Sequence, residues 1–146
     1  MNDDSGLELR RTRDYEAVRR LALGSGLEDG PFLDVVAAFG WYSGNELMGC
    51  VALKQTNSTF CVEWLAVSES LRGRGLGRKL ISEVEREARQ RGAERLWALA
   101  RAPDFFRKNG FELAEGSEKD GPSLTNCMRC PQYMKDCRPA IVMKDL

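Results

Sequence analysis

Apolar side chains recur at helical spacing most clearly at Leu80, Ile81, Val84 and Ala88, with Glu83, Glu85, Arg86, Glu87 and Arg89 between them. This spacing predicts a helix with one apolar stripe on the core and its charged residues turned to water. Gly92 ends it, glycine being the residue best suited to a left-handed cap. Earlier in the chain, "LELRR" at Leu7 to Arg11 reads as a short strand. The helix that follows has Tyr15, Val18 and Ala22 on its inner face and stops at Gly24. After Pro31, the residues Phe32, Val35, Val36 and Phe39 again fall at helical spacing and predict a second helix.

Turn chemistry at Ser43 to Asn45 and at Gln55 to Ser58 separates three consecutive antiparallel strands between about Phe39 and Val67. Beyond Gly92, "RLWALA" at Arg95 to Ala100 is a strand. "PDFFRKN" is a short helix opened by Pro103 and closed by Gly110, "FELA" is a strand, and "AIVMK" at Ala140 to Lys144 is the last strand. No periodicity survives between Glu115 and Pro139, and so long a connection inside a compact domain is more often functional than idle. The order predicts one α/β (α+β) domain over residues 1–146, with a mixed, mostly antiparallel central sheet flanked by helices.

Composition narrows the chemistry. Twenty-two basic residues balance twenty-two acidic ones, so no bulk positive field is present to hold a nucleic acid. Runs such as "VVAAF" and "WLAV" are too short to span a bilayer, and no membrane partner is expected. The polar start "MNDDSGLELRR" lacks the apolar core of a secretory signal, and five cysteines, an odd number, fit a reducing compartment; both point to the cytoplasm. The chain contains no histidine, which excludes Ser-His-Asp triads, Cys-His pairs and His-ligated zinc.

Three glycines and four cationic side chains crowd into "VSESLRGRGLGRKL", from Val67 to Leu80. A Walker loop fails here, because its second glycine would fall on Arg78 or Leu80. A dinucleotide fingerprint fails as well, because Arg78 occupies its third glycine site. What remains is R-x-x-G-x-G, filled by Arg72, Gly73, Arg74, Gly75, Leu76 and Gly77, between a strand and a long helix. Glycines let successive N–H groups turn toward a diphosphate, and a helix amino end adds free donors and a positive dipole end.

The segment "VEWLAVSESLRGRGLGRKLISEVE", continued by "RLWALA" and "DFFRKNGFE", resembles the GCN5-related N-acetyltransferase (GNAT) superfamily, above all the acetyltransferase domain of N-acetylglutamate synthase and small stand-alone relatives. The resemblance covers most of Phe39 to Leu113. It implies a GNAT-like fold, acetyl-CoA as cosubstrate, a homodimer, and transfer of an acetyl group to a primary amine, with a free amino acid or similar small amine favoured. Leu65, Ala66 and Val67 would give main-chain contacts to the pantetheine arm and the acetyl carbonyl, while Arg72 through Arg78 hold the diphosphate. Protein amino-terminal or lysine acetylation, and acyl-CoA sensing without catalysis, are the alternatives.

A primary amine with a pKa near ~10 must lose a proton before it attacks, so a base is needed. Glu63 is the candidate, since strand alternation puts it on one face with Leu65 and Val67; a surface or ion-paired glutamate is the other reading. Where relatives carry a tyrosine that protonates the departing thiolate, this chain has Phe106, which is placed beside the cofactor but cannot act as an acid. Core packing is the alternative role for Phe105 and Phe106. Tyr133, in the long loop, is the replacement acid. Cys127, Cys130 and Cys137, at C-x2-C-x6-C, lack a fourth ligand, so free thiols in a substrate-covering loop are expected instead of a metal site. Cys50 and Cys61 read as small buried apolar residues.

Overall fold

The structure, a computed structural model, describes residues 6–24, 34–100, 103–114 and 140–146. Strand β1 (Glu8–Arg11) leads into helix α1 (Tyr15–Gly24), followed by strands β2 (Val35–Ser43), β3 (Glu46–Thr56) and β4 (Thr59–Val67). A 3-10 turn at Glu69–Leu71 precedes helix α2 (Leu76–Gln90). Then come β5 (Arg95–Ala100), α3 (Pro103–Lys108), β6 (Glu112–Leu113) and β7 (Ala140–Asp145). The strands form one sheet in the order β1-β2-β3-β4-β5-β7-β6, in which only β4 and β5 run parallel. Gly44 and Asn57 take φ of +61° and +56° at the two hairpin turns, the left-handed conformation that tight turns between antiparallel strands require.

The expected helix after Pro31 is not formed by the residues that suggested it. Val35, Val36 and Phe39 belong to β2, while Phe32 lies outside the described residues. The reason is burial on both faces. Ala37, Phe39 and Trp41 face the α2 side, Ala38 faces α1, and a strand apolar on both faces gives the same spacing as a helical stripe.

Helix α2 packs Leu80, Ile81, Val84 and Ala88 against Phe39, Trp41, Val51, Leu53, Phe60 and Val62. Burying each large apolar side chain in that stripe contributes about 1.5–3 kcal/mol. On the opposite face, Val18 and Ala22 of α1 pack over Ala38, Cys50, Ala52, Trp64 and Ala66, mostly small side chains that let the helix sit close. Glu85 and Glu87, expected in water, are both buried at 8% exposure. Cations from β1, β7 and the end of α2 explain this. Arg11 and Arg91 pair with Glu87, and the Lys144 Nζ donates to Glu85 Oε1 at 2.8 Å and to the Asn109 carbonyl at 3.1 Å. Among the described residues no helix is long and apolar enough to cross a membrane.

Candidate functional site

Strand β4 is the centre of the site, and it is not regular. Its register with β3 runs Gly49↔Val67 and Cys50↔Ala66, then resumes at Ala52↔Glu63, so Trp64 and Leu65 together oppose Val51. Two residues against one make a β-bulge. Trp64 sits in it at φ +51°, a strained region for a bulky side chain, and is held there by burial at 3% exposure under α1.

The bulge corrects the expected alternation. Glu63 pairs with Ala52 and so shares the α1-side face, whereas Leu65 and Val67 pack toward α2. Glu63 is half-buried, and burial raises its carboxyl above the ordinary value of 4.5, with the Lys54 charge pulling the other way. Lys54 pairs with Cys61, one diagonal step from Glu63 on the same face. Sequence reasoning passed over Lys54, and its signal was the hairpin register.

The parallel ladder between β4 and β5 covers only Phe60↔Leu96, Cys61↔Trp97 and Val62↔Ala98. Beyond it, Leu99 and Ala100 continue to pair with β7 on the far side, so a gap opens beside Glu63–Val67. Among the described residues no strand lies against that stretch on the β5 side, where its main chain faces the gap.

The glycine-rich loop closes the end of this gap. The Arg72 Nε donates to the Val67 carbonyl at 3.1 Å, tying the loop's first arginine to the end of β4. Gly73 and Gly75 take φ of +83° and +76°, and Gly75 caps α2 in the left-handed conformation. The first bond of the helix runs from the Lys79 N–H to the Gly75 carbonyl, which leaves the N–H groups of Leu76, Gly77 and Arg78 without a carbonyl inside the helix. Arg72, Arg74 and Arg78 are exposed around them. Together these groups form an amide-lined, cationic turn able to take an anion.

Gly77 has a steric role the motif did not suggest. A Cβ there would lie 3.2 Å from Phe105 Cζ and 4.0 Å from Val67 Cγ2, so its missing side chain lets α3 close on α2 and β4. Leu76 is buried, and its carbonyl accepts the indole N–H of the fully buried Trp41 at 3.1 Å, anchoring the first turn of α2 to β2. Phe106 is in the core, edge-to-face with Phe105 and Phe111 at 5.4 and 5.3 Å. Tyr133, Cys127, Cys130 and Cys137 lie outside the described residues. Among the described residues no group of three or more acidic or cysteine side chains could hold a metal ion.

A model of the acetyltransferase (GNAT) family matches residues 8–111. The chain is 27% identical over 102 residues to an uncharacterised N-acetyltransferase of Chlorobaculum tepidum, covering 69% of this chain and 65% of that protein. It is 30% identical over 119 residues to the amino-acid acetyltransferase of Neisseria meningitidis, covering 80% of this chain but 24% of the relative. Among solved structures, N-acetylglutamate synthase from Neisseria gonorrhoeae, complexed with coenzyme A and N-acetyl-glutamate, superposes with a TM-score of 0.73 at 21% identity, over 99% of this chain and 36% of that one. A Mycobacterium tuberculosis protein in complex with CoA gives 0.72 at 20% identity, over 95% and 99% of the two chains.

Proposed function

Because the chain belongs to the acetyltransferase (GNAT) family, we propose that it transfers an acetyl group from acetyl-CoA to a primary amine, with a free amino acid or similar small amine as acceptor. The observation that carries this reading is the gap between β4 and β5, which ends at the amide-lined turn opening α2. In this reading Arg72, Gly73, Arg74, Gly75, Leu76, Gly77 and Arg78 hold the diphosphate. The main chain of Leu65, Ala66 and Val67 takes the pantetheine arm and polarises the acetyl carbonyl. Phe106 supports the cofactor's side of the gap from the core by fixing α3.

The amine nitrogen attacks the thioester carbon, and negative charge grows on an oxygen facing fixed N–H donors, which lowers the barrier. Glu63 takes the proton that the amine sheds, directly or through one water, and a carboxyl raised toward neutrality is better matched to that task than an ordinary one. The carbon–sulfur bond then breaks, and the coenzyme A thiolate leaves and takes a proton, with Tyr133 assigned as its source. The relatives support an amino acid as acceptor, since one is an amino-acid acetyltransferase and another was solved with N-acetyl-glutamate. The reading is completed by a single N-acetyltransferase domain acting as a homodimer in the cytoplasm, with no nucleic-acid or membrane partner.

The test is release of the coenzyme A thiol from acetyl-CoA over a panel of amino acids, small amines and lysine- or amino-terminal peptides. Turnover confined to amino acids is expected, and turnover confined to peptides would move the acceptor to protein. One observation favours a second reading, a non-catalytic acyl-CoA sensor: position 106 carries no phenol. Acetyl-CoA binding with no turnover across the whole panel would establish it.

A further inference from the structure

The donors that the proposed transfer needs are main-chain groups of β4, and the bulge sets their direction. Cys50 of β3 stands against that bulge from within the sheet. It is fully buried and opposes Ala66 in the last regular pair before the register shifts. Its Sγ donates to the Trp64 carbonyl at 3.2 Å and lies 3.6 Å from the Val18 carbonyl of α1. A thiol has one hydrogen, so the shorter contact is the bond and the longer one an alternative acceptor. The other small residues of the sheet under α1, namely Ala38, Ala52 and Ala66, are alanines. The small residue that carries a donor is the one facing the bulge.

We infer that Cys50 is a positioning residue: its thiol, bonded to the Trp64 carbonyl inside the bulge, holds the main chain of Leu65 to Val67 in the orientation that polarises the acetyl group. This rests on the transferase reading above. Burial pushes the Cys50 thiol up to about 12 against the pull of the Ala66 main chain, so the S–H keeps its proton and remains a donor at neutral pH. The Trp64 backbone is strained at φ +51°, and a strained conformation persists only where its surroundings over-determine it. The thiol is one of those constraints, and the packing of the Trp64 side chain under α1 is another.

The experiment compares Cys50→Ala, which deletes the donor, with Cys50→Ser, which restores one. Two readouts are taken: amide hydrogen exchange at Leu65 and Ala66, and steady-state acetyl transfer. In C50A exchange should quicken about tenfold and kcat fall by a similar factor, while KM for acetyl-CoA stays within about twofold because the diphosphate turn is untouched. C50S should recover most of both. Leu7→Ala, a truncation of a buried side chain beside β1 at the opposite edge of the sheet, sets the baseline for lost stability alone and should leave kcat near wild type. If C50A does not fold, Cys50→Val, close in volume and without a donor, takes its place.

Exchange and kcat unchanged in C50A would overturn the inference, as would C50S falling as far as C50A or L7A losing as much kcat. A wild type that binds acetyl-CoA but acetylates nothing would sink the transferase reading instead. The exchange comparison would still decide whether the thiol holds the bulge.

Discussion

Gly75→Ala adds one methyl group at the amino end of α2, where the backbone stands at φ +76° and ψ +12°. An ideal Cβ at that position meets no heavy atom of the described residues within 4 Å, so the substitution makes no clash with them. Its folding cost is that of an L-residue in the left-handed region, about 1–2 kcal/mol, or about 2–4 °C of Tm per kcal/mol in a domain near this size. Gly92 supplies the matched control at the other end of the same helix, with φ +85° and equally open surroundings. Gly92→Ala should therefore lower Tm by a similar amount.

The two variants should part company on acetyl-CoA. At Gly75 the methyl group enters the space the diphosphate would occupy, and the dissociation constant measured by titration calorimetry should rise at least about tenfold, equivalent to about 1.4 kcal/mol. At Gly92 it should change less than about twofold. Stabilisation by saturating acetyl-CoA in a thermal melt should follow the same order, since it scales with the logarithm of ligand over Kd. Equal affinities in the two variants would refute the assignment of the α2 turn, whatever the melting temperatures.

Glu63→Gln should lower kcat/KM by about 100-fold or more while raising Tm above neutrality. The sign follows from its raised carboxyl: below the ordinary value of 4.5 the group is neutral in both folded and unfolded chains, and as pH climbs toward the folded value only the unfolded chain ionises freely, so wild type loses stability that the glutamine variant keeps. Equal melting of the two proteins above neutrality would contradict the desolvation. Lys54→Met should move the acid limb of kcat/KM to higher pH, because it removes the charge that opposes the shift; an unmoved limb would exclude that role. Glu87 has the opposite sign: burial works to raise it, but the bonds to Arg11 and Arg91 outweigh this and leave it below 4.5. Glu87→Gln should accordingly melt lower than wild type at neutral pH, with the difference closing as pH falls through the folded value, as pH-resolved melts would show. Lys144→Met should lose about 1–3 kcal/mol by stranding Glu85, and the double variant Glu85→Leu with Lys144→Met should regain most of it in urea unfolding.

Local patterns carried much of the fold. α1, α2, α3 and the strands other than the start of β2 were legible as periodic runs between Gly, Pro and Asn punctuation. β2 was misread because burial on both faces and helical spacing look alike over a few residues. The burial of Glu85 and Glu87 was hidden for a different reason: their cations, Lys144 and Arg11, are 59 and 76 residues away in sequence. In the site, the R-x-x-G-x-G turn was visible because Gly73 and Gly75 stand at positive φ, where glycine is favoured, and because arginines crowd beside them. The bulge was not visible, because Trp64 is neither Gly nor Asn and its left-handed backbone is imposed by packing under α1. Missing the bulge placed Glu63 on the wrong face.

A gap between two strands can be a frayed edge or a built opening, and burial around it distinguishes them. Where β4 and β5 last pair, Leu96, Ala98 and the neighbouring Val142 are 0%, 1% and 0% exposed, so the base of the gap is solid core. Helix α2 then grips both walls. Its apolar stripe packs on β2, β3 and β4, Glu85 reaches across to Lys144 of β7, and Gly77 seats Phe105 of α3. Strand pairing is thus lost at one place while side-chain packing holds the flanking elements on each side of it. An opening fixed in this way would not have to reorganise for the proposed thioester, and its main-chain donors would be oriented before any charge develops. The same connection predicts where mechanical coupling runs. Loosening the Gly77–Phe105 contact shifts the wall carried by α3, whereas loosening Trp41 from the Leu76 carbonyl shifts the turn that would hold the phosphates. These are separate adjustments to one site.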